Sequence, residues 1–169
     1  MTDVERLFRE YHGPLVRYLT RRLGDRDWAE EVAQETFVRA LRQSELQNGR
    51  AWLFAVATNL VRDEARKDAR RRRHLELLAA EAKDDVAEQP TELERGEDRA
   101  LARRAIETLT ERDREALLMK EEGLNYNEIA EALGLSLASV GTTLSRARRR
   151  LVEAYEELRR AQDAVRRTG

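Results

Sequence analysis

Apolar residues recur at spacings of three and four along most of this chain, and this period limits the possible folds more than any other feature. In its first part the period is carried by Leu7, Phe8, Tyr11, Leu15, Tyr18 and Leu19. Such spacing places one apolar face on an α-helix. Ala, Leu, Glu and Arg, which lose little entropy in a helix, are abundant, whereas the 169 residues include only two Pro and eight Gly. The sequence therefore predicts an all-α protein.

Glycines and capping residues divide the N-terminal part of this pattern into three helices. Gly24 is expected to end the first helix, which Gly13-Pro14 can bend. Asp27 and Glu30 have capping-box spacing at the start of the second. A polar loop at residues 43–50 then precedes a long third helix over residues 51–72. Its core stripe is predicted to be Leu53, Val56, Ala57 and Leu60.

Charge is strongly segregated along the chain, although the formal net charge is only −1. That total argues against nucleic-acid binding through uniform basic charge. However, residues 62–73 carry seven basic and three acidic side chains, and residues 139–150 carry four basic side chains and no acid. Between them, residues 74–98 carry nine acidic and two basic side chains. The neutral total therefore hides two basic patches.

The acidic stretch divides the chain into two domains. It contains Pro90 and Gly96 and lacks a sustained apolar period, which is typical of a solvated linker. A loop inside one compact domain is a weaker interpretation, because unstructured loops of more than about 15 residues are uncommon there. We therefore predict two small helical domains, residues 1–73 and 99–169, joined by an acidic linker, residues 74–98.

In the C-terminal domain, capping residues predict further helices. Thr110 and Asp113 mark the start of one, and Asn125 with Glu128 marks a second capping box. Ser136 is expected to begin a last, Arg-rich helix that reaches residue 160, within the usual uncertainty of a sequence-based boundary.

The last two of these helices have the spacing of a helix-turn-helix. Ala130 is the small residue at the close approach of two helices, Gly134 the turn glycine and Val140 the β-branched packing residue. The last helix would bury Val140, Leu144, Ala147 and Leu151. Its outward side chains are hydroxyl and guanidinium groups that suit base edges and phosphates, namely Ser139, Thr142, Ser145, Arg146 and Arg149. An ordinary antiparallel helical pair with a solvated basic face is the alternative.

The third helix carries a second stripe, formed by Trp52, Asn59, Asp63 and Arg70, beside its core face. An exposed indole and amide suit base stacking and hydrogen bonding to base edges. A core position is the commoner fate of a helical Trp. Equally, the basic patch at residues 62–73 can be a solvated helix end whose cations complement the helix dipole.

The second helix presents an acidic group beside two apolar residues that we expect to be exposed, Val38 and Leu41. The group consists of Glu30, Glu31, Gln34 and Glu35. Paired carboxylates can act in acid–base chemistry or bind metal, but His12 and His74 are isolated in sequence. A surface that docks a partner explains the mixture of acidic and apolar residues better.

Catalytic and membrane functions find no support in the sequence. The chain has no Cys, no HExxH motif, no phosphate-binding glycine loop and no nucleophile elbow. No run reaches the ~20 apolar residues that span a bilayer. We therefore expect a cytoplasmic protein that is not an enzyme and has no metal, no cofactor and no membrane insertion.

Three blocks in fixed order resemble a known family. They are AEEVAQETFVRAL (29–41), RAWLFAVATNLVRDEARKDARRR (50–72) and LTERDREALLMKEEGLNYNEIAEALGLSLASVGTTLSRARRRL (109–151). Together they resemble bacterial RNA polymerase sigma factors of the extracytoplasmic-function (ECF) class, in the sigma-70 family. The resemblance covers nearly the whole chain except the linker and the last ~15 residues.

The resemblance implies a transcription initiation factor that binds core RNA polymerase and promoter DNA. Its N-terminal domain, sigma region 2, would dock on polymerase through Glu30, Glu31, Gln34, Glu35 and Leu41. The minus-ten element would be opened by the loop after Leu41 and by the third helix. The residues of that helix would be Trp52, Asn59, Asp63, Arg66 and Arg70. The C-terminal domain, sigma region 4, would read the minus-thirty-five element, the linker would run toward the RNA exit path, and melting would need no cofactor.

The recognition helix departs from the family pattern. Members usually carry basic, small polar and basic residues after the valine, where this chain has Gly141, Thr142 and Thr143, and Ser145 replaces a bulkier side chain. Either the minus-thirty-five contact is altered, or Gly141 lets another surface approach closely.

The resemblance also implies an anti-sigma factor that covers both domains. Two other functions fit the residues alone. One is a stand-alone helix-turn-helix regulator, and the other is a helical adaptor without a DNA role.

Overall fold

The computed structural model describes the backbone of residues 2–79 and 93–169 and the side chains of residues 2–64 and 96–169. Within these ranges the chain forms seven helices and no strand, which confirms the all-α prediction. They are α1 (Asp3–Leu23), α2 (Arg26–Leu41), α3 (Gly49–Ala79), α4 (Leu93–Glu107), α5 (Glu111–Glu121), α6 (Tyr126–Leu133) and α7 (Leu137–Thr168).

Most of the predicted caps are present. Gly24 ends α1 in the left-handed region at φ 72°, and Gly134 ends α6 at φ 65°. Asn125 and Glu128 form the reciprocal capping box of α6. The predicted cap at Asp27 is wrong, because Asp25 accepts the backbone N–H of Trp28 at 3.1 Å. Asp27 lies in the first turn of α2, where its charge still favours the helix dipole.

Several helices are longer than the sequence predicts. α7 ends at Thr168 instead of near residue 160, whereas α1 ends before Gly24 as predicted and continues through Pro14 as one helix. α3 continues to Ala79 and α4 begins at Leu93, so both ends of the predicted linker, residues 74–79 and 93–98, are helical. The remainder of the linker, residues 80–92, lies outside the described residues. The C-terminal part of α7 is held against α4, where Tyr155 Oη donates to Asp98 Oδ1 at 3.3 Å and Arg166 bonds to Glu97.

The core of the N-terminal helices forms where α1, α2 and α3 meet. Leu15, Tyr18 and Leu19 of α1 are fully buried, and the Tyr18 hydroxyl is hydrogen-bonded to Thr58 Oγ1 of α3 at 2.8 Å. The predicted core stripe of α3 is largely confirmed: Leu53, Ala57 and Leu60 are buried, and Val56 is half-buried. Phe54 and Val61, which lie beside that stripe, are buried as well.

The apolar core continues into the C-terminal helices α5, α6 and α7. It contains Met119, Leu124, Ile129, Val140 and Leu144, all fully buried. The two groups of helices also contact each other directly, since α1 packs on α5 and α3 packs on α6. No pattern in the sequence predicted this contact, which brings the predicted DNA-binding elements of both domains into one body.

Candidate nucleic-acid and partner interfaces

The predicted docking residues lie together on the solvent side of α2. One side of α2 is buried and consists of Val32, Ala33, Phe37 and Ala40. The opposite side is exposed and consists of Glu30, Glu31, Gln34, Glu35 and Leu41. The predicted exposure of Val38 and Leu41 is confirmed, with Leu41 68% exposed. α2 thus presents acidic and apolar groups side by side.

A groove between α1 and α2 extends this surface. It has a volume of about 770 Å³ and is lined by residues that include Val4, Phe8, His12, Gln34, Val38 and Leu41. The Phe8 ring lies 4.4 Å from the His12 ring and 5.0 Å from the Phe37 ring, centroid to centroid. Sequence reasoning placed Phe8 on the apolar face of its helix, but its side chain is 47% exposed. The exposed apolar surface beside α2 therefore includes α1.

The minus-ten residues predicted on α3 have different environments. Asn59 and Asp63 are exposed on one side of the helix, whereas Trp52 is half-buried and packs against the core. The side chains of Arg66 and Arg70 lie outside the described residues. Arg62, the first cation of the basic patch, donates to Glu115 Oε1 of α5 at 2.8 Å. In this conformation Arg62 therefore binds a carboxylate of the other domain.

The predicted reading surface of α7 is largely exposed. Four of the predicted reading residues face solvent, namely Ser139, Thr142, Ser145 and Arg149. The predicted packing residues Val140, Leu144 and Ala147 are buried, and Leu151 is half-buried. Thr143 is 4% exposed, so this departure from the family pattern points into the protein. The Thr142 hydroxyl donates to the Ala138 carbonyl at 3.3 Å. Three hydroxyls and one guanidinium thus remain open to solvent on this side of α7.

Arg146 does not point freely outward as the sequence predicted. Its Nη2 and Nε donate to the two carboxylate oxygens of Asp113 at 2.7 and 3.3 Å, and Arg150 donates to the same carboxylate at 3.3 Å. Asp113 is completely buried at the start of α5, and the hydrogen bonds that it accepts, together with its charge, raise the pKa of the Arg146 guanidinium. Sequence reasoning read Asp113 only as a capping position, because the pairing joins residues 33 apart.

Gly141 is not required by packing within this structure. A Cβ at this position would lie 3.8 Å from the Tyr126 ring, which is ordinary van der Waals contact. The described residues therefore supply no close approach that needs a glycine here.

The described residues do not contain a group of three or more His, Asp or Glu placed to bind a metal ion. No helix in this part of the chain is long and apolar enough to cross a membrane.

Comparison with known proteins identifies both domains. Residues 7–71 match the family model "Sigma-70 region 2", and residues 99–151 match "Sigma-70, region 4". The chain is 34% identical over 161 residues to the ECF RNA polymerase sigma factor SigL of Mycobacterium tuberculosis, with 90% of this chain and 88% of SigL covered. This protein is a sigma factor of the ECF class.

Other relatives of this ECF sigma factor support the same family assignment. It is 33% identical over 153 residues to the RNA polymerase sigma factor YlaC of Bacillus subtilis, with 86% of this chain and 88% of YlaC covered. Its identity to the ferric citrate uptake sigma factor FecI of Escherichia coli is 33% over 148 residues, with 85% of each covered. The fold also matches the sigma factor RpoE of Bartonella quintana, solved in complex with the anti-sigma factor NepR. That match has a TM-score of 0.66 and 22% identity, and covers 92% of this chain and 98% of RpoE.

Membership in this family decides between the functions that the residues alone left open. An ECF sigma factor binds core RNA polymerase and directs it to promoter DNA. A stand-alone regulator and a helical adaptor do not account for a region 2 domain followed by a region 4 domain.

Proposed function

We propose that this ECF sigma factor uses three separate surfaces to bind core polymerase, the minus-ten element and the minus-thirty-five element. The exposed side of α2, with Gln34 and Leu41, docks on core polymerase. Asn59 and Asp63 of α3 contact the minus-ten element as it opens, and α7 reads the minus-thirty-five element through Thr142 and its neighbours. We further propose that the protein is cytoplasmic and is not an enzyme.

The observation that carries this proposal is the separation of the exposed surfaces by chemistry. α2 offers carboxylates beside apolar side chains, which suits a protein partner. α7 offers hydroxyls and arginines, which suit bases and phosphates. α3 places an amide and a carboxylate on an exposed side next to a half-buried indole, a combination that can hold an unstacked base.

Transcription by purified core polymerase tests these roles. The full chain is added to core polymerase and fragments of the source genome, and promoter-dependent transcripts are measured. Gln34→Ala should weaken polymerase binding, whereas Asn59→Ala should leave polymerase binding intact and impair opening of the minus-ten element. Glu121→Ala, an exposed position of α5 away from all three surfaces, is the matched control. Equal activity of Gln34→Ala and Glu121→Ala would contradict the docking role.

An inhibitor is the second part of the proposal. The groove between α1 and α2 exposes Phe8, Val38 and Leu41, which fits the apolar face of an amphipathic helix. We infer that an anti-sigma factor occupies this groove and so excludes polymerase from α2. Affinity purification from the source cell should recover this inhibitor as well as polymerase, and Leu41→Ala should reduce the recovery of both. Recovery of polymerase with no inhibitor under any growth condition would contradict this part.

A further inference from the structure

The two domains share a continuous apolar core, and the ion pairs around it are strictly divided by sign. Every cation of the described ion pairs between the domains comes from the N-terminal helices, and every carboxylate comes from α5 or α6 or the turn between them. We call the first set the arginine face, which consists of Arg17, Arg22, Arg50 and Arg62. The second set is the glutamate face, which consists of Glu111, Glu115, Glu122 and Glu128.

One half of this contact surrounds Glu115. Its carboxylate is completely buried, 2.8 Å from Arg62 Nη2 and 3.9 Å from Arg22 Nε. Arg22 also lies 3.2 Å from Glu111. Nevertheless, three polar atoms of this group are buried without a hydrogen-bond partner, namely Arg22 Nε, Arg62 Nε and Glu115 Oε2. The Glu115 carboxylate therefore pairs with both arginines but does not satisfy all their donors.

The other half surrounds the turn between α5 and α6. Arg50 makes a two-pronged contact with Glu128 at 2.6 and 2.7 Å, and Arg17 lies 3.2 Å from Glu122. Arg50 also lies over the Tyr11 ring, 5.7 Å from its centroid. A two-pronged arginine contact with a carboxylate has the geometry that guanidinium also uses for phosphate.

Promoter binding requires this contact to open. By their names the minus-ten and minus-thirty-five elements lie about 25 base pairs apart, or about 85 Å at about 3.4 Å per base pair. A compact chain of 169 residues has a radius of gyration of about 15 Å. Domains that touch each other therefore cannot contact both elements of straight duplex DNA at the same time. When they separate, the arginine face loses all its carboxylate partners at once.

We propose that the arginine face is a phosphate-binding surface for promoter DNA, and that the glutamate face covers it while the domains are in contact. Arg62 lies on α3, about 60° around the helix from Asn59 at about 100° per residue, so this surface adjoins the minus-ten residues. The glutamate face acts as an internal competitor for the same guanidinium groups. This inference rests on the promoter-binding roles proposed above.

Neutralising the glutamate face tests the inference without polymerase. Glu122→Gln/Glu128→Gln removes two carboxylates of the contact, and a Gln at position 128 can still complete the capping box of α6. Glu121→Gln/Glu153→Gln, at two exposed positions with the same change in charge, is the matched control. For both full-length variants, circular dichroism checks folding and small-angle X-ray scattering gives the radius of gyration. Fluorescence anisotropy gives the affinity for a labelled 30-base-pair duplex of arbitrary sequence, in ~50 and ~200 mM salt.

The double variant should have a larger radius of gyration than the control and should bind the duplex at least about tenfold more tightly at low salt, because its binding-competent state is more populated. Adding Arg17→Gln and Arg62→Gln should return the affinity to the control value and lower the salt slope by about two. If the double variant does not fold, Glu122→Gln is compared with Glu121→Gln in the same assays, since it leaves the capping box of α6 unchanged.

Three results would overturn the inference. The first is an affinity equal to that of the control, with or without a change in radius of gyration. The second is a gain that survives the loss of both arginines. The third is a loss of polymerase binding, rather than of DNA binding, when the arginines are replaced, which would assign the face to a protein partner. A separate result would contradict the proposed function itself: a wild-type chain that supports no promoter-dependent transcription by core polymerase.

Discussion

The pairing of Asp113 with Arg146 and Arg150 makes a specific prediction about the stability of the C-terminal helices. Asp113 is completely buried, and both of its oxygens accept hydrogen bonds from these arginines at 2.7 to 3.3 Å. Replacement by Asn keeps one acceptor but removes the charge. Breaking a fully buried ion pair costs about 3–5 kcal/mol. Here the two arginine side chains are 37% and 49% exposed, so water can solvate them after the change.

We therefore expect Asp113→Asn to lower the free energy of unfolding by about 1–3 kcal/mol. With a urea m-value near 1.5 kcal/mol per M, a loss of 2 kcal/mol moves the midpoint down by roughly 1.3 M. Trp28 and Trp52, the two tryptophans of the chain, both belong to the N-terminal helices, so their fluorescence reports mainly on those helices. Circular dichroism follows both domains. The loss should appear in circular dichroism and much less in fluorescence.

A double-mutant cycle with Arg146→Gln assigns the loss to this pair. The two single changes and the double change should be non-additive by about 1 kcal/mol, because the residues are in direct contact. Glu121→Gln, on the same helix but exposed, is the control and should change stability by less than about 0.5 kcal/mol. Strict additivity, or a loss for Asp113→Asn no larger than that of the control, would refute a structural role for the pair.

Other changes give independent checks. Tyr18→Phe removes the buried hydrogen bond to Thr58 and should cost about 1–2 kcal/mol, visible as a lower urea midpoint by tryptophan fluorescence. Burial raises the pKa of Glu115 above its ordinary value of 4.5, although Arg62 and Arg22 partly offset this. The stability of the wild type relative to Glu115→Gln should therefore be greatest below pH 4.5 and fall as the pH rises through the raised pKa, as measured by urea unfolding across that range. Gly141→Ala should stabilise α7 by up to about 1 kcal/mol in thermal unfolding, and weaker promoter binding by this variant would show that the glycine serves the DNA contact. Leu41→Ala should leave the unfolding midpoint unchanged but weaken binding to core polymerase in a pull-down; equal binding would remove Leu41 from the docking surface.

The sequence by itself determined the helices and most of their ends, because these depend on interactions within a few residues. Apolar spacing predicted the buried side of α3, and Asn125 with Glu128 predicted a cap that the structure contains. The exposure of Leu41 followed from the same period. Where two acceptors competed locally, as Asp25 and Asp27 do at the start of α2, spacing chose the wrong one, since only backbone geometry distinguishes them.

Tertiary structure decided which charges are free to bind a partner. Arg146 and Arg62 both look like open cations in the sequence, yet the first is held by Asp113 and the second by Glu115. Their partners are 33 and 53 residues away, and helix periodicity carries no information about contacts at that separation. The same holds for the domain contact, whose arginine and glutamate faces are dispersed along the chain. Local sequence therefore fixed the helices and their exposed residue types, and long-range packing decided which of those charges remain available to DNA and polymerase.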